Sequence, residues 1–180
     1  MRPLLFDPTA GDAFARQWQR YDWRLLSNGN VFRYRDAEGL RSAGAALAEL
    51  GYLVRSADAA GWSGPADAHA GLAAALSFPD YYGANLDALR DVLRDLAEHS
   101  VDPATTGTAL LISGYHRLVE TDPGFAQDVL DEFAGAARLG LLLGHPMLCL
   151  VECATPLGPV GGMTVPLETA PPHRAAGADG

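Results

Sequence analysis

The sequence predicts an α/β fold in which a small, three-stranded parallel sheet packs with helices. Two near-continuous apolar runs, TALLIS at 108–113 and MLCLVE at 147–152, have the composition of strands buried on both faces. A third strand is predicted in YLVRS at 52–56. Helical patterns separate these strands, and the resulting order β, α, α, β, α, β over residues 52–153 indicates parallel strands joined by helical crossovers.

An N-terminal extension, residues 1–51, precedes this core. The spacing of Phe14, Trp18 and Tyr21 predicts a short amphipathic helix. The following RLLSNGNVFRYR predicts a β-hairpin closed around Asn28-Gly29. The extension carries many aromatic and leucine side chains, so we expect it to pack on or beside the core or to mediate self-association.

A second helix of the extension is expected between Asp36 as its N-cap and Gly51 as its C-terminal glycine. In the core, WSGP with Pro65 as the first helical residue predicts the next helix. The helix after that spans Leu86 to about Glu98. Residues 154–180 are rich in Pro, Gly and Ala, which predicts a partly disordered tail.

One more helix is predicted between the two apolar strands. Asp122 is its expected N-cap, Pro123 its first residue and Gly140 its C-terminal glycine. The two cysteines, Cys149 and Cys153, lie in the last strand at a spacing that suits neither a disulfide nor a CxxC metal site, so we expect two buried free thiols.

The charge is acidic and unevenly distributed. The chain has 180 residues, no Lys and a formal net charge of −9. Residues 1–55 hold eight Arg and six acids, whereas residues 56–180 hold five Arg and sixteen acids. A nucleic-acid-binding domain shows the opposite balance, so we expect no direct nucleic-acid partner. An acidic domain instead suits a basic protein partner, although solubility alone also accounts for it.

The helix from Leu86 to Glu98 carries the most informative pattern. Its leucines and Val92 fill one arc, and Asp87, Asp91 and Asp95 lie one turn apart on the opposite arc. Like charges at i and i+4 repel, although Arg90 and Arg94 can each pair with the aspartate three residues before. A solvated helix face is the simpler interpretation. The exposed tyrosine pair just before the helix favours an interface, since aromatic residues beside charges are typical of binding surfaces.

The run PDYYGANLDALRDVL, residues 79–93, resembles the signature of the barstar family, the intracellular inhibitors of the secreted ribonuclease barnase. The matching elements are Pro, acid, Tyr, Tyr, Gly, x, Asn, Leu, Asp, Ala and Leu in register, followed by Asp91 one turn after Asp87. The resemblance covers about 100 residues and implies a three-stranded parallel sheet with helices. It also implies a protein that blocks a ribonuclease active site with an acidic helix imitating substrate phosphates.

The resemblance assigns roles to individual positions. Tyr81 matches a tyrosine that packs on the nuclease, Asn85 and Asp87 match contacts at the start of the binding helix, and Asp91 matches the aspartate that enters the active site in place of a phosphate. The full set of predicted partner-binding residues is Tyr81, Tyr82, Gly83, Asn85, Asp87, Arg90, Asp91, Arg94 and Asp95. The predicted partner is therefore a ribonuclease or nuclease toxin with a basic cleft.

Two positions depart from the family pattern. Arg90 stands where barstar carries a large aromatic residue, and Gly135 falls where barstar presents a peripheral glutamate. A cation at position 90 is expected to disfavour a strongly basic cleft. The resemblance therefore does not identify the target, and a barstar-like scaffold that binds a non-nuclease partner or another toxin remains the alternative.

Other chemistry finds little support in the sequence. Its five histidines are scattered, with no HxxxH or HExxH spacing, and no GxGxxG or P-loop occurs. We expect no cofactor, no metal site and no enzymatic activity, although paired carboxylates can in principle act as acid and base. No apolar run approaches the roughly 20 residues of a membrane span. The N-terminus is a poor secretory signal, so a cytoplasmic location is expected.

Overall fold

A computed structural model describes residues 18–98, 104–169 and 171 of the chain. Within these residues, helices and strands alternate along most of the sequence. The helices are α1 (Tyr21–Leu26), α2 (Ala37–Glu49), α3 (Pro65–Leu76), α4 (Leu86–Glu98), α5 (His116–Thr121) and α6 (Pro123–Leu142). The strands are β1 (Val31–Tyr34), β2 (Leu53–Asp58), β3 (Thr108–Ser113), β4 (Met147–Glu152) and β5 (Leu167–Glu168).

The strands form one sheet in the order β2-β3-β4-β1-β5, and every neighbouring pair is parallel. The predicted α/β fold with a parallel sheet is thus confirmed. The three predicted strands, β2, β3 and β4, are consecutive neighbours. The predicted total of three is wrong, because β1 and β5 extend the described sheet to five strands beyond β4.

Helices cover both faces of the sheet. On β3 and β4, Leu110, Ile112 and Cys149 point to the face covered by α3, α4 and α6, while Leu111 and Leu150 point to the face covered by α1 and α2. Adjacent residues of a strand alternate between faces, so a strand buried on both must be apolar at nearly every position. This explains the uninterrupted apolar runs of β3 and β4.

The predicted hairpin around Asn28-Gly29 is wrong. Its first half belongs to α1, whose end is closed by hydrogen bonds from the Asn28 side chain to the Arg24 carbonyl and from the Gly29 N–H to the Leu25 carbonyl. Its second half is β1, which lies between β4 and β5 and runs parallel to both. An isolated two-stranded hairpin is marginal in water, whereas β1 in the sheet gains two neighbours and buries Phe32 completely.

Two predicted helix caps are confirmed, and one predicted helix end is wrong. Asp36 and Asp122 each accept a hydrogen bond from the backbone N–H three residues later, at 2.8 and 3.0 Å. Helix α6 continues through Gly140, and the left-handed glycine that follows it is Gly144, with φ of 76°. A Cβ on Gly140 would lie 2.5 Å from the His145 carbonyl oxygen, so that glycine allows close packing instead of ending the helix.

The segment after β4, residues 154–169, packs against the body of the protein, and we call it the C-terminal strap. The Gln127 side chain donates to the Pro159 carbonyl at 2.9 Å, and the Asp131 carboxylate accepts from the Gly161 N–H at 2.6 Å. The strap ends in β5 beside β1. The expected tail from residue 154 thus includes a packed strand, and its residues 170 and 172–180 lie outside the described residues.

Candidate functional site

Helix α4 has the bounds and the amphipathic division that its sequence predicts. Leu89 and Leu93 are buried against the sheet and α6, whereas Asp87, Asp91 and Asp95 are exposed. Because the buried side ties the helix to the core, the three carboxylates are presented on a rigid support.

The loop before α4 sets the first turn of the helix. Asn85 acts as the N-cap: its Oδ1 accepts from the Ala88 N–H at 2.9 Å, and its Nδ2 donates to the Gly83 carbonyl at 3.2 Å. Ala84 has φ of 48°, a left-handed conformation that costs an L-residue roughly 1–2 kcal/mol. The Asn85 amide therefore fixes the loop conformation as well as standing at the surface.

The two tyrosines of this loop have different environments. Tyr81 is 79% exposed. Tyr82 turns inward, where its hydroxyl lies 2.5 Å from His69 Nδ1 and its ring packs edge-on against Phe78 and His69. Tyr82 thus anchors the loop to α3, and Tyr81 is the aromatic group available to a partner.

The His69–Tyr82 contact predicts a pH dependence of folding stability. Burial lowers the pKa of His69 and raises the pKa of Tyr82 to about 12, so the hydroxyl keeps its proton and can donate it to a neutral imidazole. Below the ordinary histidine pKa of about 6.5 the unfolded chain binds a proton that the folded chain does not. The free energy of unfolding should therefore decrease as the pH is lowered below about 6.5, by up to about 1.4 kcal/mol per pH unit.

Urea unfolding at pH 7.5 and 5.5, with His69→Gln as the comparison, measures this effect. The variant should show a smaller pH dependence than the wild type in this window, because it lacks the histidine whose pKa folding lowers. An equal pH dependence in both proteins would contradict the assignment to His69.

Arg90 joins α4 to α6 through two carboxylates. Its Nε and Nη2 donate to the two oxygens of Glu132 at 2.9 and 2.6 Å, and its Nη1 donates to Asp87 Oδ1 at 3.0 Å. Both carboxylates raise the pKa of Arg90, and Glu132 has the larger effect. The expected Asp87–Arg90 pair is thus confirmed, and Glu132 is a second partner that the sequence did not indicate.

The remaining charges of α4 are exposed and separate. Among the described residues, neither Asp91, Asp95 nor Arg94 forms an ion pair, so the expected Asp91–Arg94 pair is not formed. Because no ion pair within the described residues uses these carboxylates, they can form ion pairs with a partner protein. The acidic face therefore has a compensated part at Asp87 and an uncompensated part at Asp91 and Asp95.

The metal-ligating side chains, the cysteines and the internal cavity of the described residues form no second candidate site. The described residues contain no cluster of three or more metal-ligating side chains, and none of the described helices is long and apolar enough to cross a membrane. Cys149 and Cys153 are buried free thiols, as expected, and burial raises the pKa of both. A cavity of about 10 Å³ beneath α4 is lined by apolar side chains and Cys149, and it has room for about one water molecule.

Residues 52–152 match the protein family described as Barstar (barnase inhibitor). The matched region runs from β2 to β4 and contains α4 with its preceding loop. The chain belongs to the barstar family. The elements outside the match are α1, β1 and α2 before it and the C-terminal strap after it, so the barstar region supplies three neighbouring strands of the larger sheet.

Comparison with curated proteins found no match to this member of the barstar family. Among solved structures, the ORC2 protein of Aeropyrum pernix, determined in ADPNP-ADP complexes, is similar at 16% identity with a TM-score of 0.41. The alignment covers 84% of this chain and 44% of that protein. A likeness this weak carries no argument about the barstar-family chain.

The structure brings eight of the nine predicted site residues to one exposed surface, formed by α4 and its preceding loop; Tyr82 is half-buried. Sequence reasoning missed His69 and Glu132. His69 lies one helix earlier and carries no motif. Glu132 is 42 residues from Arg90, and its pairing depends on how α4 packs against α6.

Proposed function

We propose that this barstar-family chain is an immunity-type inhibitor that binds a ribonuclease and covers its active site with the acidic face of α4. The observation that carries the proposal is the pair of exposed, uncompensated carboxylates, Asp91 and Asp95, on a helix fixed to the core. A ribonuclease binds a polyanion and therefore has a basic cleft. Carboxylates one helical turn apart, about 6 Å, can occupy positions that substrate phosphates otherwise take.

The charge of the chain supports the same proposal. Residues 56–180 hold sixteen acids against five Arg, and such a field steers a basic partner toward the acidic surface. The inhibitor needs no catalytic group of its own. We propose that it acts in the cytoplasm, where it would protect the producing cell from a ribonuclease made there.

The first experiment is direct. The immobilised chain is used to recover proteins from an extract of the source organism, and each recovered ribonuclease is assayed with and without added inhibitor. Stoichiometric loss of RNA cleavage supports the proposal. Recovery of a different protein, with no ribonuclease inhibited, would favour a barstar-like scaffold that serves another partner.

Tyr81→Ala should weaken binding to that ribonuclease by about tenfold to a hundredfold. Aromatic anchors at interfaces contribute about 1–3 kcal/mol, and Tyr81 presents most of its side chain to a partner. Inhibition constants of the two proteins measure the loss. Tyr81→Phe, which keeps the ring, should bind nearly as the wild type does; equal binding by wild type and Tyr81→Ala would exclude Tyr81 from the interface.

A further inference from the structure

Glu132 and Asp87 hold the guanidinium group of Arg90 in what we call the Arg90 clamp, and the side chain stays partly exposed. Three of the five N–H groups donate within the guanidinium plane to Glu132 and Asp87. The side chain nevertheless remains 51% exposed, while Glu132 is only 17% exposed. A partner that approaches α4 therefore meets a half-exposed arginine whose guanidinium is held in place by two carboxylates.

The clamp also compensates the charge of Arg90. Asp87 and Glu132 together carry two negative charges against its single positive charge, so the cluster as a whole is negative. The expectation that a cation at position 90 disfavours a strongly basic cleft treated Arg90 as unpaired. With both carboxylates in place, the negative cluster can bind against such a cleft. The property of Arg90 that then matters for a partner is the planar shape of its guanidinium, more than its positive charge.

We propose that the face of Arg90 is a stacking platform for an aromatic side chain of the ribonuclease, the one on which that enzyme stacks a base of its RNA substrate. This inference rests on the proposed function. Ribonucleic acid in single-stranded form is held by phosphate contacts together with base stacking on aromatic side chains. Arginine stacks on the same rings, through its plane and its charge.

The position of Arg90 next to Asp91 suits this role. Consecutive helix residues diverge by about 100° around the axis. Asp91 can therefore occupy a phosphate position while Arg90 covers a neighbouring base position. The helix surface thus presents both components of a nucleotide, a negative charge and a flat polar group, to a site built to bind one.

The test uses two charge-matched comparisons against barnase and against any ribonuclease recovered from the source organism. Arg90→Lys keeps the positive charge and removes the plane, so it should bind about tenfold more weakly than the wild type. Arg90→Trp and Arg90→Ala both remove the charge, but Trp restores a plane; Arg90→Trp should bind about tenfold more tightly than Arg90→Ala. Comparing within each pair removes the effect of charge.

Arg117 provides the matched control. It is a half-exposed arginine of α5 with an ion pair to Glu120, three residues on, at 3.3 Å, and Arg117→Lys should leave binding unchanged. Glu132→Gln keeps the size of the side chain but loosens the clamp, and a loss of about threefold is expected. Thermal melts of every variant confirm that each is folded.

The outcomes separate the two proposals. If the wild type inhibits a ribonuclease but Arg90→Lys binds as tightly, or Arg90→Trp binds as weakly as Arg90→Ala, the stacking platform is overturned and ribonuclease inhibition stands. If the wild type inhibits neither barnase nor any ribonuclease of the source organism, both proposals are overturned.

Discussion

Asp91→Ala is expected to weaken binding to the target ribonuclease by about thirtyfold or more. Asp91 is exposed and has no ion pair among the described residues, so its charge is available to a cationic cleft. Removing one partner of a desolvated charge pair costs roughly 2–5 kcal/mol, because the other charge is left buried and unpaired. Titration of ribonuclease activity with the wild type and the variant gives the ratio of inhibition constants.

Two neighbouring substitutions serve as controls on the same helix. Asp95→Ala, one turn further on, should cost about 1 kcal/mol or less, as rim charges do. Asp87→Ala should fall between the two, since Asp87 already pairs with Arg90. Relief of repulsion among the aspartates should leave folding stability unchanged or slightly higher. Equal, small losses for Asp91 and Asp95 would return the acidic face to the simpler interpretation, a solvated surface.

Leu93→Ala should lower the free energy of unfolding by about 3–5 kcal/mol. Leu93 is buried on the inner side of α4, where it also lines the small apolar cavity. The substitution removes buried methyl groups and enlarges a void that rigid neighbours cannot fill. Urea unfolding at neutral pH measures the change. Because α4 carries the carboxylates, the variant should also bind the ribonuclease more weakly.

Leu142→Ala is the matched control for this substitution. Leu142 is 85% exposed at the end of α6, so the same change in side chain should alter stability by no more than about 0.5 kcal/mol. Similar losses for Leu93 and Leu142 would contradict the burial that the structure assigns to α4.

Local patterns predicted much of the barstar-like core. Helix α4 was predicted with the observed bounds because its apolar and acidic arcs both follow the helical period. Strands β3 and β4 were predicted because burial on both faces leaves a continuous apolar run. The caps Asp36 and Asp122 act within three residues of themselves, so their signal is also local.

The features that the sequence did not predict depend on contacts between distant segments. The hairpin prediction for residues 24–35 treated Asn28-Gly29 as the turn between two strands, whereas these residues end α1. The true neighbour of β1 is β4, which lies more than a hundred residues later and leaves no local signal in the sequence. The Arg90–Glu132 pair and the His69–Tyr82 contact each join separate elements. The left-handed Ala84 has no sequence signal at all, since a glycine or asparagine is expected at such a conformation.

The place of β1 in the sheet has a consequence for how the chain is made. Val31 pairs with Cys149, well over a hundred residues later in synthesis, so β1 has no neighbour while most of the protein is being translated. Such non-local pairing raises the contact order and slows folding, and it leaves an apolar strand unprotected on the ribosome. During that interval Phe32 and the rest of β1 form a surface that a chaperone would be expected to hold.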